Sequence, residues 1–99
     1  MIGKGSFCES GIERIVIPKS VEEIQDSAFE FCKSLKDVAF EAGSTLKKID
    51  NFAFLGCTSL RNILFPDGLE AIGTNCFKSS GLEEVVLPVG VKSVGPWAF

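Results

Sequence analysis

Phenylalanines stand at Phe7, Phe29, Phe54, Phe77 and Phe99, separated by 22, 25, 23 and 22 residues, and this spacing constrains the fold most. A small residue precedes each of them: Ser6, Ala28, Ala53, Cys76 and Ala98. After each of the first four comes a run of the form L-x-x-I-x-I: Ile12 to Ile17, Leu35 to Phe40, Leu60 to Phe65 and Leu82 to Leu87. A shorter second run follows each, at Val21 to Ile24, Leu46 to Ile49, Leu69 to Ile72 and Val91 to Val94. The unequal spacings arise in the connectors, where Cys32 and Cys57 sit in slightly longer turns and Glu41 to Thr45 lengthens the second unit. Insertions confined to loops leave the apolar columns in phase. A fixed period near this length marks a solenoid, because one unit cannot bury its apolar face without its neighbours.

The expected architecture is a repeat solenoid of about four coils, with repeats at 7–28, 29–53, 54–76 and 77–98, forming one segment over residues 1–99. Alternation in the first runs points Ile15/Ile17, Val38/Phe40, Ile63/Phe65 and Val85/Leu87 inward. Stacked coils should pair these runs as a parallel sheet at ~4.8 Å spacing. Pro18, Pro66 and Pro88 close three of the runs, where a residue without an N–H fits a strand end. The second runs should form another short parallel stack. The Ala-Phe segments are expected to make tight helical or 3₁₀ turns whose Phe plugs the core.

Composition excludes several functions. The chain has no histidine, the commonest general base and metal ligand, and a net charge of −3 advertises no nucleic-acid-binding surface. Leu, Ile, Val and Phe make up a third of the chain, well clear of the disordered range. The longest uncharged stretch, Asn51 to Leu60, falls far short of the roughly 20 apolar residues a membrane helix needs. No signal-peptide core opens the sequence, so the compartment is left open. Four cysteines without a C-x-x-C pair argue against zinc. Gly3-Lys4-Gly5-Ser6 lacks the spacing of a phosphate-binding loop. Glu22-Glu23 and Glu83-Glu84 point to opposite faces of strands and cannot share a substrate. With no nucleophile, base and orienting group assembled, the chain reads as neither an enzyme nor a cofactor or metal binder.

The unit L-x-x-I-x-I-P-x-x-V-x-x-I-G-x-x-A-F-x-x-C-x-x-L resembles the BspA-type, or Treponema pallidum-type, leucine-rich repeat, along essentially the whole chain. The I-P step and the A-F-x-x-C turn carry the resemblance. The second unit departs from it, with Phe40-Glu41 in place of I-P, and units one and four lack the turn cysteine. The resemblance implies a right-handed coil that binds protein or glycan partners, in members that are often cell-surface adhesins. A cell-surface or secreted location would require a signal peptide, which this sequence does not show. Both ends break at the same phase of the repeat, so a slice of a longer array is expected. Uncapped coil ends leave a structural spacer or an end-to-end self-assembling unit, a homo-oligomer, as the alternative.

Residues of the first runs that face away from the core form two columns: Arg14, Asp37, Asn62, Glu84 and Val16, Ala39, Leu64, Val86. These eight are the expected partner-binding residues, since contiguous exposed apolar area marks interfaces. The ordinary preference of strands for such residues is the competing reading. On the second runs, Glu22/Lys47/Glu70/Lys92 and Glu23/Lys48/Ala71/Ser93 read as a solvated charge ladder. Cys32 and Cys57 occupy equivalent places on adjacent coils; buried reduced thiols are expected, although stacking would also permit a disulfide. Cys8 should be the most exposed thiol. Phe31, Phe52 and Trp97 fall outside the core columns and read either as contact anchors or as rings lying over a neighbouring coil.

Overall fold

The computed structural model describes residues 2–99, and all its regular elements are short parallel strands. β1 (Arg14–Ile17) and β3 (Asp37–Phe40) come from the first runs of coils 1 and 2. β2 (Glu23–Ile24), β4 (Lys48–Ile49), β5 (Ala71–Ile72) and β6 (Ser93–Val94) are the ends of the four second runs. These four pair in coil order, with Ile24, Ile49, Ile72 and Val94 in register, and Ile2 bridges to Ile24 ahead of them. The second runs therefore supply the continuous spine of the solenoid.

The Phe column forms the other spine. Phe7, Phe29, Phe54 and Phe77 stack face to face with centroids 5.1 Å apart, and Phe99 continues the stack at 5.3 Å. Interplanar angles of at most 5° mean that coil spacing dictates ring spacing. Offset parallel rings at this distance add to the burial each ring already provides. Around the column, Ile17, Leu35, Leu46, Leu60 and Leu69 are wholly buried, so these apolar positions meet in one core. Val85 and Leu87, expected inward, are 36% and 40% exposed on the outermost first run.

The Ala-Phe segments are not helical. Among the described residues no helix forms; each segment is a chain of hydrogen-bonded turns with left-handed backbone two residues before and, in the first four, two after the core Phe. Ser27, Phe31, Phe52, Asn75 and Trp97 all have φ between 54° and 60°. That conformation costs a non-glycine residue roughly 1–2 kcal/mol. At Ser27, Phe31, Phe52 and Asn75 a third ladder between coils offsets it. Ser27, Phe29 and Phe31 donate their N–H groups to the carbonyls of Asn51, Ala53 and Leu55, at 2.7–3.0 Å. Alternate N–H groups, from Ala28 and Cys32, close local turns instead. A 3₁₀ turn would have spent every donor locally and left the coils unbonded on this side.

Candidate functional site

The first runs shape the outer face of the solenoid, and the sheet expected there forms only in part. β1 and β3 pair from Arg14↔Asp37 to Ile17↔Phe40, and Glu41 N–H adds a last rung to Ile17 O at 3.0 Å. Beyond them the loop grips coil 1: Lys19 N–H donates to Glu41 Oε1 at 2.8 Å, and Thr45 donates through N–H and Oγ1 to Lys19 O. Coils 2 and 3 show no such closure. Ser59 Oγ reaches Lys33 O at 2.6 Å and Glu70 N–H reaches Lys47 O at 2.9 Å. Between those two bonds, among the described residues, no backbone hydrogen bond joins 61–69 to coil 2.

One of the missing rungs has a direct cause in the sequence. Where coil 2 has Glu41, coil 3 has Pro66 and coil 4 has Pro88. Proline has no N–H to give to the preceding coil, so the rung that Glu41 makes is missing from both later coils. The second unit's departure from the repeat pattern is thus the feature that closes the ladder between coils 1 and 2. The expected four-strand first-run sheet is corrected to two strands followed by two runs that form no strand and share one backbone bond, from Glu83 N–H to Arg61 O at 3.1 Å.

All eight expected contact residues are exposed, with Leu64 at 85%, Val86 at 67% and Val16 at 64%. Arg14 and Asp37 are brought together as an ion pair at 3.1 Å, and Val16 lies beside Ala39 in register. Asp37, Ala39, Asn62 and Leu64 line one groove of about 360 Å³ between coils 2 and 3. Asn62, Leu64, Glu84 and Val86 line a smaller one of about 190 Å³ between coils 3 and 4. Arg14 and Val16 line neither of these grooves; β1 is paired along its length with β3. Arg61 pairs with Glu83 at 3.3 Å across the second gap. Both ion pairs are exposed and contribute little stability. They set the charge pattern of the face instead.

All four cysteines are free thiols, Cys8 half-buried and the rest buried. Cys32 and Cys57 donate S–H to the carbonyls of Phe7 and Phe29 in the preceding coil, at 2.9 and 3.1 Å. Burial pushes the Cys57 thiol up to about 12, and desolvation raises Cys76 as well. Neither supplies a thiolate nucleophile. The Phe31 ring lies on Gly56, where a Cβ would collide with it, so this aromatic covers a neighbouring coil. Trp97 is 72% exposed beneath Lys78 Nζ at 5.5 Å from its ring centroid. On the second-run face Lys48 pairs with Asp50 at 3.7 Å rather than with Glu23 beside it. Among the described residues no cluster of three or more His, Cys, Asp or Glu could hold a metal, and no helix is long and apolar enough to cross a membrane.

What sequence reasoning missed here is the role of Glu41 and Pro66. The signal was visible as a missing proline, and its meaning depended on knowing which N–H the neighbouring coil needs.

The comparisons with known proteins agree with this architecture. The profile of the BspA type leucine rich repeat region (6 copies) matches residues 1–99. A T. pallidum leucine-rich repeat protein is 37% identical, with a TM-score of 0.87 over 96% of this chain and 44% of that one. A Bacteroides ovatus leucine-rich repeat protein is 34% identical, with a TM-score of 0.82 over 94% of this chain and 24% of its own. The pneumococcal vaccine antigen PcpA is 29% identical, with a TM-score of 0.62 over 84% of this chain and 26% of its own. The chain spans less than half the length of each of these three structures. No curated protein matches it.

Proposed function

The chain belongs to the BspA-type leucine-rich repeat family, and from that premise we propose that it is a recognition module that seats a protein partner on its first-run face. Leucine-rich repeats of this kind generally mediate protein–protein recognition. One observation carries the choice of face. Leu64 and Val86 are exposed on runs that form no strand and line the same groove, so apolar contact area and a concave surface coincide there. The second-run face offers a closed ladder beneath solvated lysines and glutamates, with little apolar area to bury.

Arg14, Asp37, Asn62 and Glu84 form the polar column beside the apolar one and supply register more than affinity. No catalytic role is proposed for any of these residues. The test is a binding panel of surface-exposed and extracellular-matrix proteins, with glycan arrays alongside, against the wild-type chain and the triple variant Val16→Lys/Leu64→Lys/Val86→Lys. A protein partner found on the panel should lose at least about tenfold in affinity to the triple variant, a change of about 1.4 kcal/mol. A control pair on the opposite face, Glu22→Lys/Lys47→Glu, should bind as wild type. Binding that survives in a folded triple variant refutes this placement, and binding to glycans alone refutes the protein partner.

A further inference from the structure

Three adjoining depressions lie along the boundary between coils 2 and 3. The first is bounded by Glu41 to Ser44 and Pro66 to Gly68, the second by β3 and 62–64, the third by Lys36, Ser59 and Arg61. They share Phe40 and Leu64 on one side and Asp37 and Asn62 on the other, so they form one seam running parallel to β3. Their volumes are about 350, 360 and 420 Å³.

The walls of this seam are peptide backbone without partners. In a parallel pair, alternate residues direct both their N–H and C=O to the same neighbour. Asp37 and Ala39 face β1, so Val38 and Phe40 face coil 3 and find no backbone partner among the described residues. Asn62 and Leu64, at the equivalent register of coil 3, are unpartnered toward coil 2. A strand edge with unsatisfied donors and acceptors is a template for another extended chain. Charge adds a direction. Lys36 stands at the end where the run begins, beside Arg61 and Asp37, whose charges are engaged by Glu83 and Arg14, and Glu41 and Asp67 stand at the end where it finishes.

We infer that the seam between coils 2 and 3 takes an extended peptide strand of the partner protein, paired to the free edge of β3. The strand carries acidic side chains at the Lys36/Arg61 end and basic ones at the Glu41/Asp67 end, with an alternating apolar middle. It runs parallel to β3, as every other strand pair in the solenoid does. Six or seven residues at ~3.3 Å each span the seam. Admitting the strand parts the two runs by about one strand spacing, ~4.8 Å. No hydrogen bond between 61–69 and coil 2 has to break for this, while the Phe29–Phe54 stack and the β2–β4–β5 ladder hold the coils on their other sides. This inference rests on the first-run face being the recognition face and specifies how that face reads its partner.

The test titrates the whole chain with the peptide Glu-Glu-Thr-Val-Thr-Val-Thr-Lys-Lys, its reversed sequence, and a version N-methylated at alternate residues, followed by amide NMR and hydrogen exchange. Binding should shift and protect the amides of Val38, Phe40, Asn62 and Leu64, with about tenfold weaker binding for the reversed and N-methylated peptides. Pro66→Glu restores the missing rung and should weaken binding about fivefold or more, while the amides of Ile49 and Ile72 stay protected as in the wild type. No binding, equal binding of all three peptides, or shifts confined to other residues overturns the inference. If the triple lysine variant still destroys partner binding in that event, the recognition face stands and only the strand-pairing mode fails. Should the peptide pair at β3 while the triple variant keeps its partner, the seam is upheld and the apolar column is not the contact.

Discussion

Truncating Phe54 tests whether the aromatic column holds the coils together as one stack. Phe54 is wholly buried between Phe29 and Phe77, parallel to both at 5.1 Å. Removing a buried Phe ring leaves a cavity and costs about 3–5 kcal/mol. Two lost stacking partners place Phe54→Ala at the upper end, about 4–5 kcal/mol. Phe99 has one neighbour, Phe77 at 5.3 Å, and is 47% exposed. Half the burial of a Phe, together with one ring pair, makes Phe99→Ala cost about 1–2.5 kcal/mol. A domain of this size holds only about 5–15 kcal/mol in total, so the first variant should sit near the edge of folding. Urea unfolding reads both, with slopes of about 1–3 kcal/mol/M converting the difference of about 1.5–4 kcal/mol into a midpoint gap of about 0.5–4 M. Phe54→Leu, which keeps apolar volume and loses the rings' contact, should show an intermediate loss. Equal midpoint shifts for Phe54→Ala and Phe99→Ala would refute the reasoning, because a solenoid sums interfaces with neighbours and the two sites differ in how many they have.

Three further outcomes are expected. Glu41→Pro removes the rung to Ile17 O and the bond from Lys19 N–H; it should cost about 1–3 kcal/mol in urea unfolding and speed exchange of the Lys19 amide, and an unchanged midpoint would mean the ladder end bears no weight. In native protein an aromatic disulfide reagent should modify Cys8 slowly and leave Cys32, Cys57 and Cys76 untouched until urea is added, since burial raises all these thiols; rapid modification of all four would contradict the packed turns. Burial, then the neighbouring Asp50 carboxylate, raises the Asp26 pKa, so the folded chain holds that proton more tightly than the unfolded one. The stability from this group is therefore complete below the ordinary value of 3.8 and is lost as pH rises through the raised pKa. Asp26→Asn should raise Tm at neutral pH, with the gain disappearing below that ordinary value; a lower Tm at neutral pH would show that Asp26 is needed as a carboxylate.

How far the sequence alone reached follows from which interactions repeat. The Phe column and the Ile24/Ile49/Ile72/Val94 register were legible because side chains recur at one phase in every coil, and packing enforces that phase on each of them. The exposed position of Leu64 and Val86 was legible for the same reason, through alternation. Backbone bonding was not. Ser27 and Phe52 give no sequence signal for a left-handed φ, which a bulky residue such as Phe52 rarely adopts, and in each the N–H is given to the next coil rather than to its own turn. The same blindness applies at Pro66. A proline there fits a strand end in isolation, and the sequence pattern rewards it as the regular form. Its cost falls on Phe40 of the coil before, which loses a donor it has no side-chain means of replacing. Regularity in the repeat thus opens the first-run face, and the irregular Glu41 closes it. The candidate seam lies beside the one unit without the strand-end proline, because there a completed strand edge meets a run that does not pair with it.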